Sequence, residues 1–303
     1  MRLISYLGDE GESRLGVVEG DEIVDVTRHV TADGAHSGLS PMRMLLALPG
    51  SPADNVGSLD GERLPLGSVR LAPVVPDPPK IIAAPVNYRD HQAEMMEDYH
   101  IDALGIFLKA TSSVLASGGT VRLPYSDRRF DQEGELALVI GREASHVPVD
   151  DALDYVAGYT MLLDMTMRGG EDRSTRKSFD TFTPIGPYLV TTDEAGLPDA
   201  MRLRTWVNDD LRQDADVSDL IWDVPRLIAY ASSVMTLQPG DIITTGTPAG
   251  IGQVADGDRV AVEITNLGRL EIDVSDRGAV ACPTKGASRG PKPPDTVTPV
   301  RER

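Results

Sequence analysis

The segment Phe130-Asp131-Gln132-Glu133-Gly134-Glu135-Leu136-Ala137-Leu138-Val139-Ile140-Gly141 constrains the chain more than any other. Its second half is unbroken apolar sequence, as in a strand covered on both faces. Its first half carries three acids. Side chains two apart on a strand share a face, so Glu133, Glu135 and, by the same alternation, Asp131 are expected to point one way. Like charges leading into a buried strand are costly unless something positive sits among them. A hard divalent cation held by oxygen ligands would meet that need. An exposed edge strand with solvated acids is the alternative that this segment alone leaves open.

Asp164 adds a second constraint. It follows the apolar run Tyr159-Thr160-Met161-Leu162-Leu163 and precedes Met165. A lone Asp in such a setting is usually paired, capping or coordinating, and a structural pair with Arg168 is the plain alternative to a metal role. In Asn87-Tyr88-Arg89-Asp90-His91-Gln92-Ala93-Glu94, a helix would put His91 and Glu94 on one face at i, i+3. A carboxylate beside an imidazole orients it and raises its basicity, as a general base needs; an ordinary exposed His–Glu pair has the same spacing. His29, His36, His100 and His146 lack such a context and read as surface residues. Arg168, Arg173, Arg176 and Lys177 follow Asp164 closely and make a candidate carboxylate clamp, although Glu171 and Asp172 interrupt them as they would in a solvated loop. Lys109 is a further candidate. Thr244-Thr245-Gly246-Thr247-Pro248-Ala249-Gly250 is a Gly-rich loop able to offer backbone N–H groups to an anion. It lacks the lysine and spacing of a phosphate loop, which disfavours nucleotide binding.

Composition narrows the partners. A net charge of -18 over 303 residues argues against nucleic acid and anionic membranes. It leaves room for a small anion in a cleft where local cations reverse the field. The single cysteine, Cys282, excludes an intramolecular disulfide and a cysteine-based zinc site and fits a reducing, cytoplasmic setting. The N-terminus shows neither a signal peptide nor a membrane span.

Short β-prone runs separated by Gly/Asp turns predict a small β-meander over 1–27, then a short helix from Pro41 to Leu48. Pro76-Asp77-Pro78-Pro79 closes a Gly-, Pro- and Asp-rich linker, placing a boundary near residue 75. Strands are expected at 80–84, 105–109, 132–141, 157–164, 186–192, 201–207, 241–245, 258–265 and 269–274. Helices are expected near 89–98, 149–155 and 217–234, the last broken or restarted by Pro225. This order is a β-rich α+β fold rather than a regular β-α alternation. Residues 283–303, with five prolines and two glycines, are expected to be a disordered tail. The reading is thus 1–75 small β domain, 76–282 catalytic domain, 283–303 tail.

Taken in order, Asn87-Tyr88-Arg89-Asp90-His91, Phe107-Leu108-Lys109, Asp131-Gln132-Glu133-Gly134-Glu135-Leu136, Gly158-Tyr159 through Asp164, Lys177-Ser178-Phe179-Asp180-Thr181-Phe182 with Gly186-Pro187, Gln238-Pro239-Gly240-Asp241 and Thr245-Gly246-Thr247-Pro248 resemble the fumarylacetoacetate hydrolase family over about residues 78–275. The resemblance implies a mixed β-roll or sandwich catalytic domain, often behind a small β domain and usually in a homodimer. It implies Mg²⁺ or Mn²⁺ held by Glu133, Glu135 and Asp164, a water-activating pair in His91 and Glu94, an active-site lysine in Lys177 and a substrate-contacting threonine in Thr247. Arg168, Arg173 and Lys109 join Thr247 as substrate-binding candidates. The expected reaction is hydrolysis of a C–C bond in a small 2,4-dioxo acid such as an acylpyruvate. Isomerisation or decarboxylation of a related oxo-diacid at the same site is the alternative, and a catalytically silent binding protein a third reading. The chain departs from the family pattern in two places. Met167-Arg168-Gly169-Gly170-Glu171-Asp172-Arg173 keeps the arginine but not the Asp and Gln that usually follow it. Ala84-Pro85-Val86 stands where a glycine usually precedes Asn87-Tyr88.

Overall fold

The protein is described by a computed structural model covering residues 1–31, 38–58, 60–287 and 293–300. His36 and parts of the 283–303 segment lie outside the described residues. Three sheets carry the fold, which is the β-rich α+β type expected from the sequence. The largest has twelve strands. Its main path runs Arg63–Pro65, Glu22–Asp25, Ser13–Glu19, Arg2–Leu7, Thr183–Thr191, Val156–Leu163, Gly134–Ile140, Ile242–Thr244, Ile81–Ala83 and Phe107–Lys109. The N-terminal meander is therefore continuous with the strands that follow residue 80, joined through Arg2↔Val190 and Leu3↔Leu189. A five-stranded sheet (Asp210–Asp216, Arg202–Val207, Arg259–Ile264, Gly268–Ser275 and Thr120–Arg122) lies over it.

Gly134–Ile140 shows why the segment has to be apolar throughout. Leu136, Leu138 and Ile140 pack with Leu203, Val262 and Leu270 of the five-stranded sheet, whereas Ala137 and Val139 pack on the opposite face with Leu3, Leu15 and Leu45. Both faces are buried, so alternation between polar and apolar residues is absent. The helix Val224–Val234 starts after Asp223, whose side chain accepts from Arg226 N, with Pro225 in the first turn where no N–H is needed. Proline thus begins this helix rather than bending a longer one, and residues 217–219 form a separate 3₁₀ turn.

One expected strand divides. Residues 132–141 read as continuous, but Arg129–Gln132 pairs with Thr166–Arg168 and Gly252–Gln253 in a three-stranded sheet, while Gly134–Ile140 belongs to the large sheet. Glu133 lies at the crossing between sheets. The alternation therefore does not extend from Asp131 to Glu133 and Glu135. The tail has no regular element among its described residues, yet its backbone is held. Arg128 donates to the carbonyls of Thr284 and Lys285, and Arg129 Nη1 donates to Pro294 O at 3.1 Å. No helix is long and apolar enough to cross a membrane among the described residues.

Candidate metal centre and active site

Glu133, Glu135 and Asp164 converge from three places. Glu133 is the residue between two sheets. Glu135 lies on Gly134–Ile140, and Asp164 directly follows Val156–Leu163, whose Leu163 and Leu162 pair with Gly134 and Glu135. Each offers an oxygen within 4.8 Å of the others, and all three are buried. Gly134 makes the approach possible: a Cβ there would meet Thr205 Oγ1 at 2.1 Å.

The charges are balanced unevenly. Lys177 Nζ donates to Glu133 Oε2 at 2.6 Å, Asp164 Oδ2 at 2.5 Å and Thr166 Oγ1 at 2.7 Å. Lys109 Nζ donates to Asp164 Oδ1 at 2.5 Å and Phe182 O at 3.0 Å. Arg168 bridges Asp131 Oδ2 and Glu133 Oε1, both at 2.7 Å, and Arg129 closes the other side of Asp131 at 2.7 Å. Burial alone would raise the Glu133 carboxyl, but Lys177, Arg168 and His91 together hold it well below the usual range. Glu135 forms no ion pair with a cation among the described residues. It accepts from Thr244 Oγ1 and from Gly246 N at 2.8 Å. Burial, then the Asp164 charge, push it up to about 8. Burial lowers the Lys109 ammonium against the pull of Asp164.

An all-oxygen donor set with one under-compensated carboxylate suits a hard divalent cation, which would relieve the repulsion at Glu135. The residues present therefore fit such a group.

His91 lies on the helix Arg89–Glu94, buried, and lines the cavity that contains the three acids. Its Nδ1 is 3.0 Å from Glu94 Oε2, and Glu94 Oε1 accepts from Gly250 N at 2.9 Å. The helix is anchored from behind. Asn87 donates to Trp222 O and Thr245 O and accepts from Trp222 N. Val86, with φ 48, takes a left-handed backbone unusual for a β-branched residue and lines the same cavity.

Of the residues singled out from sequence, His91, Glu133, Glu135, Asp164, Arg168, Arg173, Lys177 and Thr247 line one cavity. Lys109 lies beneath it on Asp164, and Glu94 behind His91. Thr247 Oγ1 donates to Gly134 O at 2.9 Å and accepts from Gln213 Nε2 at 2.7 Å, so it also braces the peptide between Glu133 and Glu135. The Gly-rich loop does present a backbone N–H to a carboxyl group, and that group is the protein's own Glu135. Asp131 is not a member of the acid group; it holds two arginines.

Sequence reading missed Gln213, whose Oε1 accepts from Gly134 N at 2.9 Å, along with Arg129, and it named Thr244 in the Gly-rich loop without its bond to Glu135. Gln213 belongs to Asp210–Asp216, a strand whose acids and arginine hide its alternation.

This fold and site place the chain in the fumarylacetoacetate hydrolase family: residues 80–275 match the model for the fumarylacetoacetate (FAA) hydrolase C-terminal domain. Among its relatives is the maleylpyruvate hydrolase of Aquipseudomonas alcaligenes, 43% identical over 278 residues, 87% of this chain and 96% of that one. The crystal structure of maleylpyruvate hydrolase from Sphingobium sp. SYK-6, in complex with manganese(II) ion and pyruvate, superposes with a TM-score of 0.77 at 42% identity, covering 93% of this chain and 100% of that one. The 5-carboxymethyl-2-hydroxymuconate delta-isomerase of Mycobacterium smegmatis superposes at 0.74 with 32% identity, covering 91% and 99%.

Proposed function

We propose that the chain is a divalent-metal-dependent hydrolase of a C–C bond in a small 2,4-dioxo acid, yielding pyruvate and a second carboxylic acid. The observation that carries the reading is one cavity lined by both the Glu133–Glu135–Asp164 group and His91, itself backed by Glu94. The Mn²⁺ and pyruvate named with the Sphingobium relative support the same chemistry.

Glu133, Glu135 and Asp164 would hold the cation, Mg²⁺ or Mn²⁺. When bound, it supplies Lewis-acid polarisation of the oxo-acid head. His91 accepts a proton from water, and Glu94 fixes the ring and stabilises the imidazolium. Water oxygen adds to the distal carbonyl carbon, the bond between that carbon and the methylene breaks, and the electron pair passes to the pyruvate enolate. His91 then returns its proton. Lys177 and Lys109 keep the field around this head positive, where the enolate charge develops. Arg168 is committed to Asp131 and Glu133, so its part is to hold Glu133 ionised.

The isomerase among the structural relatives favours a second reading, in which the site moves a proton without adding water. Loss of ultraviolet absorbance across a panel of acylpyruvates, with Mg²⁺, Mn²⁺ or EDTA, tests the proposal. Metal-dependent loss with stoichiometric pyruvate supports it; absence of pyruvate with every metal sinks it. Light scattering would test the homodimer expected of this family.

A further inference from the structure

Beyond residue 275, where the family domain ends, the chain returns to the three-stranded sheet and meets its strands in the order in which they lie. Gly286 sits on the carbonyl of Gly169, just past Thr166–Arg168, so closely that a Cβ there would stand 2.0 Å from the oxygen. Thr284 Oγ1 donates to Glu171 Oε1 at 2.8 Å, and Thr284 O accepts from Arg128. Pro294 O accepts from Arg129 Nη1 at 3.1 Å, while Nε of the same guanidinium holds Asp131 at 2.7 Å. Val297 rests on Gly252 of the third strand, where a Cβ would meet Val297 Cγ2 at 3.0 Å and Arg212 Nη1 at 3.6 Å.

The segment ends behind the helix that carries His91. Thr298, Pro299 and Val300 enclose a cavity there with Asp90, Glu94 and Ala249. The tail thus backs the chain on both sides of Gly250, whose N–H donates to Glu94 Oε1 at 2.9 Å. The Glu94 side chain is fully shielded from solvent, with its other oxygen 3.0 Å from His91 Nδ1. A carboxylate kept from water holds its hydrogen bonds more strongly and in fewer arrangements. Residues 293–300 include three prolines, which lower the entropy lost when the segment is fixed in place.

We infer that residues 293–300 are a positioning element of the active site, a strap that backs the Arg89–Glu94 helix and the Gly250 turn and so holds Glu94 on His91. The inference rests on the reading of His91 and Glu94 as the water-activating pair.

The test reads hydrogen exchange beside turnover. Two full-length variants release the strap from opposite sides: Val297→Gly with Val300→Gly removes its apolar anchors, and Gly252→Leu fills its seat. In each, exchange of the Gly250 amide should quicken about tenfold or more, because that bond opens with the local structure. The kcat for an acylpyruvate should fall by about tenfold, since small misplacements of a catalytic group cost up to about 10²-fold, with KM and Mn²⁺ affinity changed by less than about twofold. Combining the two should add little, because both release the same segment, and Val297→Ile should behave as the wild type. Unchanged Gly250 exchange in both variants would overturn the strap, as would faster exchange with kcat unaltered, or a loss of kcat matched by an equal loss of Mn²⁺ affinity. Should the wild type cleave no acylpyruvate, the hydrolase reading alone falls, and the Gly250 amide still decides whether the segment holds Glu94.

Discussion

Replacing Lys177 by Met separates the ammonium's structural work from that of a cation. In the metal-free protein Lys177 Nζ is shared by Glu133 and Asp164 at 2.6 and 2.5 Å. Removing one partner of a buried ion pair costs about 3–5 kcal/mol. Here Glu133 keeps Arg168 and Asp164 keeps Lys109, so the lower end applies, about 3 kcal/mol. At roughly 2–4 °C per kcal/mol for a protein of this size, the melting temperature in EDTA should fall by about 6–12 °C. Mn²⁺ should reverse much of that loss, because the variant no longer places a positive charge among the oxygens the cation needs. Binding should tighten roughly tenfold or more, and the Mn²⁺-induced rise in melting temperature should be larger in Lys177→Met than in the wild type. Thermal unfolding at pH 7 with EDTA and with saturating Mn²⁺ reads both effects. An equal Mn²⁺ shift in the two proteins would refute the shared-carboxylate reasoning.

Three further outcomes follow from the geometry. His91→Ala should lower turnover by about 10²–10⁴-fold with metal affinity retained, because His91 lies outside the Glu133–Glu135–Asp164 group; Mn²⁺ titration beside steady-state kinetics checks this, and unchanged turnover removes its role as base. Gly134→Ala should destabilise by about 1–3 kcal/mol and weaken metal binding, since the new Cβ would meet Thr205 Oγ1 at 2.1 Å; denaturant unfolding with and without Mn²⁺ measures it. Glu135, raised to about 8 in the metal-free fold, keeps a proton there that the unfolded chain loses near its ordinary value of 4.5. Its contribution to metal-free stability should therefore decline as pH rises from about 4.5 to 8. Mn²⁺ binding at pH 7 should release close to one proton, and less at pH 9. Calorimetry in two buffers of different ionisation enthalpy detects that proton; no release at pH 7 would contradict the assignment.

Much of the site was legible from local sequence because its parts are local. Glu135 sits on a strand and His91 and Glu94 on one helical turn, so period and spacing carry the information. Asp131 was misjudged because alternation holds only while a strand stays in one sheet, and the chain changes sheets at Glu133. Arg168 and Lys109 look like free cations in one dimension; only the fold reveals the carboxylates that occupy them. Conversely, Glu171 and Asp172 look like neutralising neighbours of Arg173 and Arg176 until Arg128, Thr284 and a helix cap draw them away. Gln213, and the bond that Thr244 makes to Glu135, were missed for a related reason. Their roles are hydrogen bonds to residues 79 and 109 positions distant, and no local pattern marks such a pair.

The central claim is that this site adds water across a carbon–carbon bond. Its most direct test is ¹³C NMR of an acylpyruvate turned over in H₂¹⁸O with Mn²⁺. The account predicts two fragments, pyruvate and a carboxylic acid, with one ¹⁸O incorporated into the new carboxylate. A single product of unchanged carbon skeleton, or carbon dioxide in place of the second acid, would contradict it.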